Sequence, residues 1–330
     1  YKPTLVVLHH IVLVYLDFPF YYSEPADEDL SGLFFWVFVT LNQGWFMGSL
    51  FLLAGYFTPD SFHRKGLKAF LLGKLIRLGI PLFVYIFVLH PPLLYFAYQV
   101  SGNTPEKVTS LLDDGVLWFV TMLLVFDFGY AAWRMLRKGD GSPAQIKASP
   151  PRYLEIILFI IGLALATYLF RFVIPQGSPV LGFPTLHYFP QYLSFFILGI
   201  VAYYRDWLRT LPNSKGIAGF LITMIGLVFL IMPFGYLFWD SIFGVGMVLM
   251  MITLFRRFLN SRGKRGRFLA NHSYGVYILH AHVITLVTYS LRVLDTDISL
   301  KVILASIIGV PLSFMAAYLV RKILGVSRAV

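Results

Sequence analysis

Two adjacent histidines, His9 and His10, lie in the almost wholly apolar stretch TLVVLHHIVLVYLDF, residues 4 to 18. An unpaired ring nitrogen in hydrocarbon costs several kcal/mol, so an ionisable side chain at membrane depth is a candidate functional group. Adjacent residues point roughly 100° apart on a helix, so one of the two is expected to face a site and the other to be structural. The alternative is that each ring only hydrogen-bonds a neighbouring helix.

A second set of reactive side chains is basic and lies in HRKGLKAFLLGKLIR, residues 63 to 77. Lys74 and Arg77 are three apart, which places them on one face of an α-helix. Two cations on one face are suited to hold a phosphorylated ligand, with Arg64 and Lys68 as further contacts. The alternative is a basic anchor that binds lipid headgroups.

The motifs of several common enzyme classes are absent. The chain has no cysteine, which excludes disulfides, thiolate metal sites and an acyl-cysteine intermediate. It has no GxxxxGK[ST], HExxH or GxSxG motif. Catalysis would have to come from histidine, carboxylate, hydroxyl or backbone groups, and neither a metal ion nor a covalently bound cofactor is predicted.

The composition predicts an all-α integral membrane protein. Of the 330 residues 58% are hydrophobic and 13% are charged, against about 25% charged in a soluble domain. The net charge of +11 does not indicate a nucleic-acid partner, because the basic residues are interleaved with apolar runs. They follow instead the pattern of a polytopic protein in a lipid bilayer.

Runs of roughly 20 apolar residues predict ten membrane spans. Their positions are about 2 to 19, 34 to 57, 76 to 98, 116 to 135, 154 to 174, 190 to 204, 216 to 232, 236 to 255, 271 to 290 and 300 to 320. All Lys and Arg residues except Lys107, Arg171, Arg292 and Lys301 fall on one side, which predicts cytoplasmic termini. Residues 1–330 are predicted to form a single transmembrane domain. Because Tyr1 replaces an initiating Met, we expect that an N-terminal piece precedes this numbering.

The predicted direction of each span fixes the depth of its polar residues. His9 and His10 lie roughly 12 to 15 Å from the start of span one, near the midplane. His280 and His282 are expected in the outer half, on different faces of span nine.

Three further features of the predicted spans lead to expectations about structure or function. Pro81, Pro91 and Pro92 are expected to break span three, leaving carbonyls to which His90 donates. Asp127 is an intramembrane acid expected either to orient a histidine or arginine or to have a structural partner. Trp45 and Trp118 are candidates for stacking on a sugar, although interfacial belts or packing are the commoner reason for such residues.

Five segments together resemble one family. LHH in span one, FLLAGYF followed by KLIRLGIP, LWFVTMLLVF, QYLSFFILGI and SYGVYILH occur in order along nearly the whole chain. They resemble the membrane acyltransferase-3 family, which includes bacterial polysaccharide O-acetylases and glucans biosynthesis protein C. The resemblance implies a multi-pass protein of the inner (plasma) membrane. Such a protein moves an acyl group, acetyl or succinyl, from cytoplasmic acyl-CoA to a hydroxyl of a carbohydrate or other acceptor at the outer face.

The resemblance also implies site residues. The family histidine corresponds to His10, and the basic pair corresponds to Lys74 and Arg77. Lys74 replaces an arginine, so a bidentate contact becomes a point-charge contact. His280, within SYGVYILH, is a further site residue. His10 would act as general base in direct transfer, because no cysteine can carry the acyl group.

Two rival interpretations stay open from the sequence. A secondary transporter would use His10, Asp127 and His280 as a proton relay, although such folds usually carry inverted repeats and the sequence shows no repeat. A sensor or scaffold would need no chemistry, and it would leave the basic residues and the midplane histidine without a purpose.

Overall fold

The computed structural model describes residues 2–16, 18, 20–26, 30–105, 111–137, 149–177, 180, 183, 185–258 and 263–323. These ranges are mainly helical and contain no β-strand, which confirms the all-α class. The α-helices are α1 (Lys2–Val14), α2 (Leu30–Lys74), α3 (Ile80–Val84), α4 (His90–Val100), α5 (Trp118–Leu136), α6 (Tyr153–Arg171), α7 (Phe189–Tyr204), α8 (Trp207–Thr210), α9 (Asn213–Ile231), α10 (Trp239–Phe258), α11 (Lys264–Leu291) and α12 (Ile298–Ile323).

Seven helical stretches of the described chain are long and apolar enough to cross a membrane, so the protein is a multi-pass membrane protein. One of them, Leu30–Val100, has 71 residues and contains both the second and the third predicted span. At 1.5 Å per residue it is more than three times as long as a hydrocarbon core of roughly 30 Å. Its backbone leaves helical geometry at Gly66, where φ is 72° and ψ is 170°. The count of ten spans and the cytoplasmic termini stay predictions.

The prolines of span three do not break it as predicted. π-Helical turns at Leu75–Gly79 and Tyr85–Leu89 join α2, α3 and α4 into one helical path. Pro91 and Pro92 lie in the first turn of α4, where a missing N–H costs little. A π-turn adds one residue to a turn, so the chain accommodates the prolines by widening the helix.

The chain divides into two compact units, and α2 and α5 contribute residues to both. The first unit comprises residues 1–42, 76–121 and 262–330, and the second comprises residues 43–75 and 122–261. In the first unit α1 packs among α11 and α12 through fully buried side chains such as Val7, Ile11 and Ile284. This apolar packing fixes which face of α1 meets α11.

Glycines allow the helices of the second unit to approach closely. A Cβ on Gly55 would lie 2.0 Å from the Phe196 carbonyl oxygen, and one on Gly199 would lie 2.1 Å from the Leu52 carbonyl oxygen. Helices α2 and α7 therefore cross backbone to backbone, as small residues permit in membrane proteins. The glycines of FLLAGYF and QYLSFFILGI thus have a packing role.

Candidate active site

His10 of α1 and His280 of α11 meet inside the first unit. Their ring centroids are 4.7 Å apart and the rings are inclined by 67°. His280 is fully buried and His10 is partly buried. The sequence placed His10 near the midplane of one span and His280 in the outer half of another, and the structure brings their rings into contact.

The backbone sets the tautomer of both rings. His10 Nδ1 lies 2.9 Å from the Val6 carbonyl oxygen, and His280 Nδ1 lies 2.7 Å from the Tyr277 carbonyl oxygen. A carbonyl only accepts, so each neutral ring carries its proton on Nδ1 and keeps a lone pair on Nε2. Nε2 of His280 is buried and has no hydrogen-bond partner among the described residues. Among the described residues, each imidazole therefore offers one nitrogen that has no hydrogen-bond partner.

His9 occupies a different position from His10. Its ring meets the His10 ring edge-on, with centroids 5.4 Å apart. The contact with α11 belongs to His10, as expected for neighbours that point roughly 100° apart. Of the two candidates, His10 is the one that meets the second histidine.

The segment that follows α1, residues 20–26, lies beside His10 and forms what we call the Phe20 wall. Phe20 packs on the His10 ring with centroids 5.4 Å apart. The segment is tied back to α1, because the Glu24 and Ala26 amides donate to the carbonyls of Val14 and Tyr15. Glu24 also forms an ion pair with Lys301 of α12 at 2.5 Å. The wall is therefore held by backbone and charge rather than by apolar packing alone.

A series of hydrogen bonds that joins Tyr21, His90 and Asp113 holds this segment in place. Tyr21 Oη lies 2.8 Å from His90 Nε2, and His90 Nδ1 lies 3.1 Å from both the carboxylate and the backbone carbonyl of Asp113. His90 does donate to a carbonyl, but to that of Asp113 rather than to one beside the prolines. The carbonyl next to them, that of Leu89, accepts instead from His282 Nε2 at 2.8 Å. His280 and His282 therefore point to different neighbours, as predicted.

The turn that carries Asp113 is closely fitted. Gly115 has φ of +43°, and a Cβ there would lie 2.6 Å from His90 Nε2 and 2.7 Å from Tyr21 Oη. Asp114, which lies between Asp113 and Gly115, is buried, and this burial, together with the neighbouring Asp113, raises its pKa from 3.8 to about 6.

Lys74, in the second unit, already has a partner. Its Nζ lies 2.7 Å from Asp127 Oδ2, and Thr58 Oγ1 donates to Asp127 Oδ1 at 2.8 Å. The partner of the intramembrane acid is therefore Lys74, which agrees with the structural-partner alternative rather than with the orientation of a histidine or arginine. The Lys74 side chain keeps 20% of its exposure, whereas that of Asp127 has none.

The other predicted donor contacts are exposed. Arg64 pairs with Asp60 one helical turn away at 2.8 Å, with 70% of the Arg64 side chain exposed. Lys68 is exposed and belongs to the second unit, whereas Arg77 is exposed in the π-turn and belongs to the first. Within the described ranges neither forms an ion pair.

The two candidate tryptophans are packed. Trp45, in the second unit, is 7% exposed, and Trp118, in the first, is 8% exposed. This burial agrees with the packing interpretation rather than with an open stacking platform. Nor do the described residues contain a group of three or more side chains able to hold a metal ion.

Sequence reasoning missed a buried ion pair between Arg171 and Asp240 in the second unit. Arg171 also donates to the Leu237 carbonyl at 2.9 Å, and its guanidinium lies over the Tyr188 ring. Burial and the Arg171 charge lower the pKa of the nearby His187 from 6.5 to about 4. Arg171 is one of the few basic residues on the predicted outer side, and that signal could have suggested a buried acidic partner.

Comparison with known proteins gives a consistent result. The family model described as "Acyltransferase domain", the acyltransferase-3 type, matches residues 4–322. Glucans biosynthesis protein C of Salmonella paratyphi A is 26% identical over 280 residues, which cover 73% of this chain and 69% of that protein. The corresponding protein of Salmonella schwarzengrund is 25% identical over 320 residues, covering 84% and 78%. No solved structure matches significantly.

Proposed function

This chain belongs to the acyltransferase-3 family and is a membrane acyltransferase, and we propose that it moves an acyl group from cytoplasmic acyl-CoA to a hydroxyl of a carbohydrate. Acetyl or succinyl is the proposed group, and the inner membrane is the proposed location. The carbohydrate acceptor is suggested by relatives named for glucan biosynthesis. The observation that carries the proposal is the His10–His280 contact, in which each ring keeps an Nε2 that has no hydrogen-bond partner within the part of the chain that the structure describes.

In the proposed reaction, His10 Nε2 is the general base. It takes the proton of the acceptor hydroxyl as that oxygen attacks the thioester carbonyl, and the carbon–sulfur bond then breaks. The proton passes from His10 to the departing thiolate, so the products are the ester and free CoA. General-base assistance of this kind contributes roughly 100- to 10,000-fold.

The Nδ1–H to Val6 carbonyl bond prepares His10 for this role, because it fixes the tautomer that leaves Nε2 basic. His280, in edge contact with the same ring, is proposed as a positioning residue. His9 is proposed to be structural.

We assign the donor phosphates to Lys74 and Arg77, with Arg64 and Lys68 as weaker contacts. Lys74 has three N–H donors, so it can bind a phosphate oxygen while it keeps Asp127. Arg77 and Lys68 have no acidic partner within the described ranges that a phosphate would have to displace. The pairing of Asp127 with Lys74 also accounts for that acid without a proton relay, which favours the enzyme over the transporter.

The test is binding and turnover of acetyl-CoA and succinyl-CoA by the purified protein, with glucan oligosaccharides as acceptors. His10→Ala is expected to bind the donor normally and to lose transfer by at least about 100-fold. The matched control, His9→Ala, removes an imidazole of the same size from the next position and should retain most of the activity.

The paired substitution Lys74→Ala/Arg77→Ala is made together with Asp127→Asn, so that no charged carboxylate is left buried without a partner, and it should instead raise the donor Kd and leave the chemical step of bound donor close to wild type. Wild-type protein that neither binds nor cleaves any acyl-CoA would contradict the donor assignment. Substrate counterflow in proteoliposomes would then test the transporter.

A further inference from the structure

The second unit contains an apolar cavity of about 350 Å³, lined by residues of α2, α6, α7, α8 and α10. Its inner wall includes Leu52, Phe195, Val245 and Val248, none more than 5% exposed. A buried water needs two to four polar partners, and this wall consists of hydrocarbon. An empty void of this size would forfeit many dispersion contacts. The chemistry of the wall therefore calls for a hydrocarbon occupant.

The rim of the cavity has a different composition. The exposed Glu155 and Arg205 and the half-buried Trp207 lie there. The Arg205 guanidinium lies over the Trp207 ring, 5.4 Å from its centroid, and Trp207 Nε1 donates to the Ser149 carbonyl at 3.0 Å. Arg and Trp together are typical of the boundary between hydrocarbon and headgroups. The cavity thus leads from a polar interface into an apolar interior.

The charge at the rim favours an anion. Glu155 is engaged in capping α6, because its Oε2 accepts the Arg152 backbone N–H at 2.8 Å. Arg209 of α8, with 78% of its side chain exposed, lies four residues after Arg205, and Arg256 donates to the Arg209 backbone carbonyl at 3.0 Å. Arg209 is partly compensated by Asp206, whose Oδ1 lies 3.9 Å from Arg209 Nε, so Arg205 is the rim cation placed against the cavity mouth. Arginine is the cation best suited to a phosphate headgroup.

We propose that this cavity binds one acyl chain of a bilayer phospholipid with an anionic headgroup. The acyl chain of the lipid lies among α6, α7 and α10, and the headgroup phosphate is held by Arg205. The bilayer that the helices cross supplies such a chain at high local concentration. The site is formed wholly within the second unit, so it does not depend on the His10–His280 pair or on the acyl transfer proposed above.

The first test counts phosphatidylglycerol molecules that stay bound to the purified full chain after detergent washing, by native mass spectrometry. Val248→Trp fills the cavity and should abolish the retained lipid. Ile161→Trp is the matched control, since Ile161 is on the same unit but 57% exposed on α6, and it should retain the lipid. Arg205→Gln should weaken phosphatidylglycerol binding about fivefold and leave the weaker binding of zwitterionic phosphatidylcholine unchanged.

The second test does not require a variant whose cavity is filled by a larger side chain. Phosphatidylglycerol brominated in its acyl chain should quench Trp207 fluorescence, measured as the difference between wild type and Trp207→Phe, and excess unlabelled phosphatidylglycerol should reverse the quenching. The proposal is overturned if Val248→Trp folds and keeps its lipid, if Ile161→Trp loses as much lipid as Val248→Trp, or if Trp207 is not quenched. Equal affinity for the two lipids would overturn the headgroup assignment.

Discussion

The His10–His280 contact of the first unit and the Arg171–Asp240 and Lys74–Asp127 pairs of the second are two ways of placing polar groups in a membrane protein. Each ion pair joins opposite charges, and Thr58 or a backbone carbonyl takes up a further bond, although Arg171 Nε is buried without a partner among the described residues. The histidine contact instead joins two like groups, each tied to its own helix through Nδ1 and open at Nε2. The pairs have the features of structural interactions, whereas the histidines retain a reactive atom at a cost in stability.

Breaking an ion pair gives the largest expected effect. Asp240→Ala leaves Arg171 buried and unpaired, so the free energy of unfolding should fall by about 3 to 5 kcal/mol. Thermal unfolding in detergent measures this. The control is Asp60→Ala, which breaks the exposed pair with Arg64 and should cost under about 1 kcal/mol. Equal losses for the two variants would remove the distinction between closed, buried pairs and ordinary surface pairs.

The turn beside His90 should give the next largest effect, and it depends on pH. The pKa of Asp114 is raised from 3.8 to about 6, so the folded protein holds this proton more tightly than the unfolded chain. Its contribution to stability is present below about pH 4 and is lost as pH rises through 6. At pH 8 the Asp114→Asn variant should therefore be more stable than wild type by about 2 to 3 kcal/mol. The two proteins should converge at pH 4, and parallel pH profiles would contradict the assignment.

A smaller effect is expected from the Tyr21–His90 hydrogen bond. Tyr21→Phe leaves the buried His90 Nε2 without its partner, which should cost about 1 to 2 kcal/mol in the free energy of unfolding. Tyr95→Phe on α4, where the side chain is 52% exposed, is the control and should be near neutral. A double-mutant cycle with His90→Leu isolates the pair. A coupling energy near zero would show that the hydrogen bond does not hold the Phe20 wall.

The sequence was sufficient for the helical class and the membrane helices, because apolar runs report them directly, whereas the roles of the reactive residues stay predictions. Each of the ten predicted spans overlaps a helix of the described chain, although seven helical stretches are long and apolar enough to cross a membrane, and His10 was separated from His9 by the resemblance of VVLHH to the family pattern. The sequence could not show that His10 meets His280, since that contact depends on how α1 packs among α11 and α12.

The sequence also could not show which residues on distant helices pair with one another. Asp127 has Lys74, Arg171 has Asp240 and His90 has Tyr21, in each case across more than 50 residues of chain. The helical path through Pro91 and Pro92 was mispredicted because α-helical rules were applied to a segment that widens into π-turns.

The smallest expected effect has the opposite sign and bears most directly on the comparison. His280→Leu removes a buried Nε2 that has no partner among the described residues, together with one bond to a helix carbonyl. The protein should become about 1 kcal/mol more stable, because the removed atom costs more than the lost bond contributes. Acyl transfer should fall about tenfold or more if His280 positions His10, which would be a trade of activity for stability. His90→Leu is the matched control, since His90 is equally buried but bonded at both nitrogens, and it should destabilise the protein. If both variants lose stability alike, the open nitrogen of His280 carries no cost, and the contrast with the ion pairs fails.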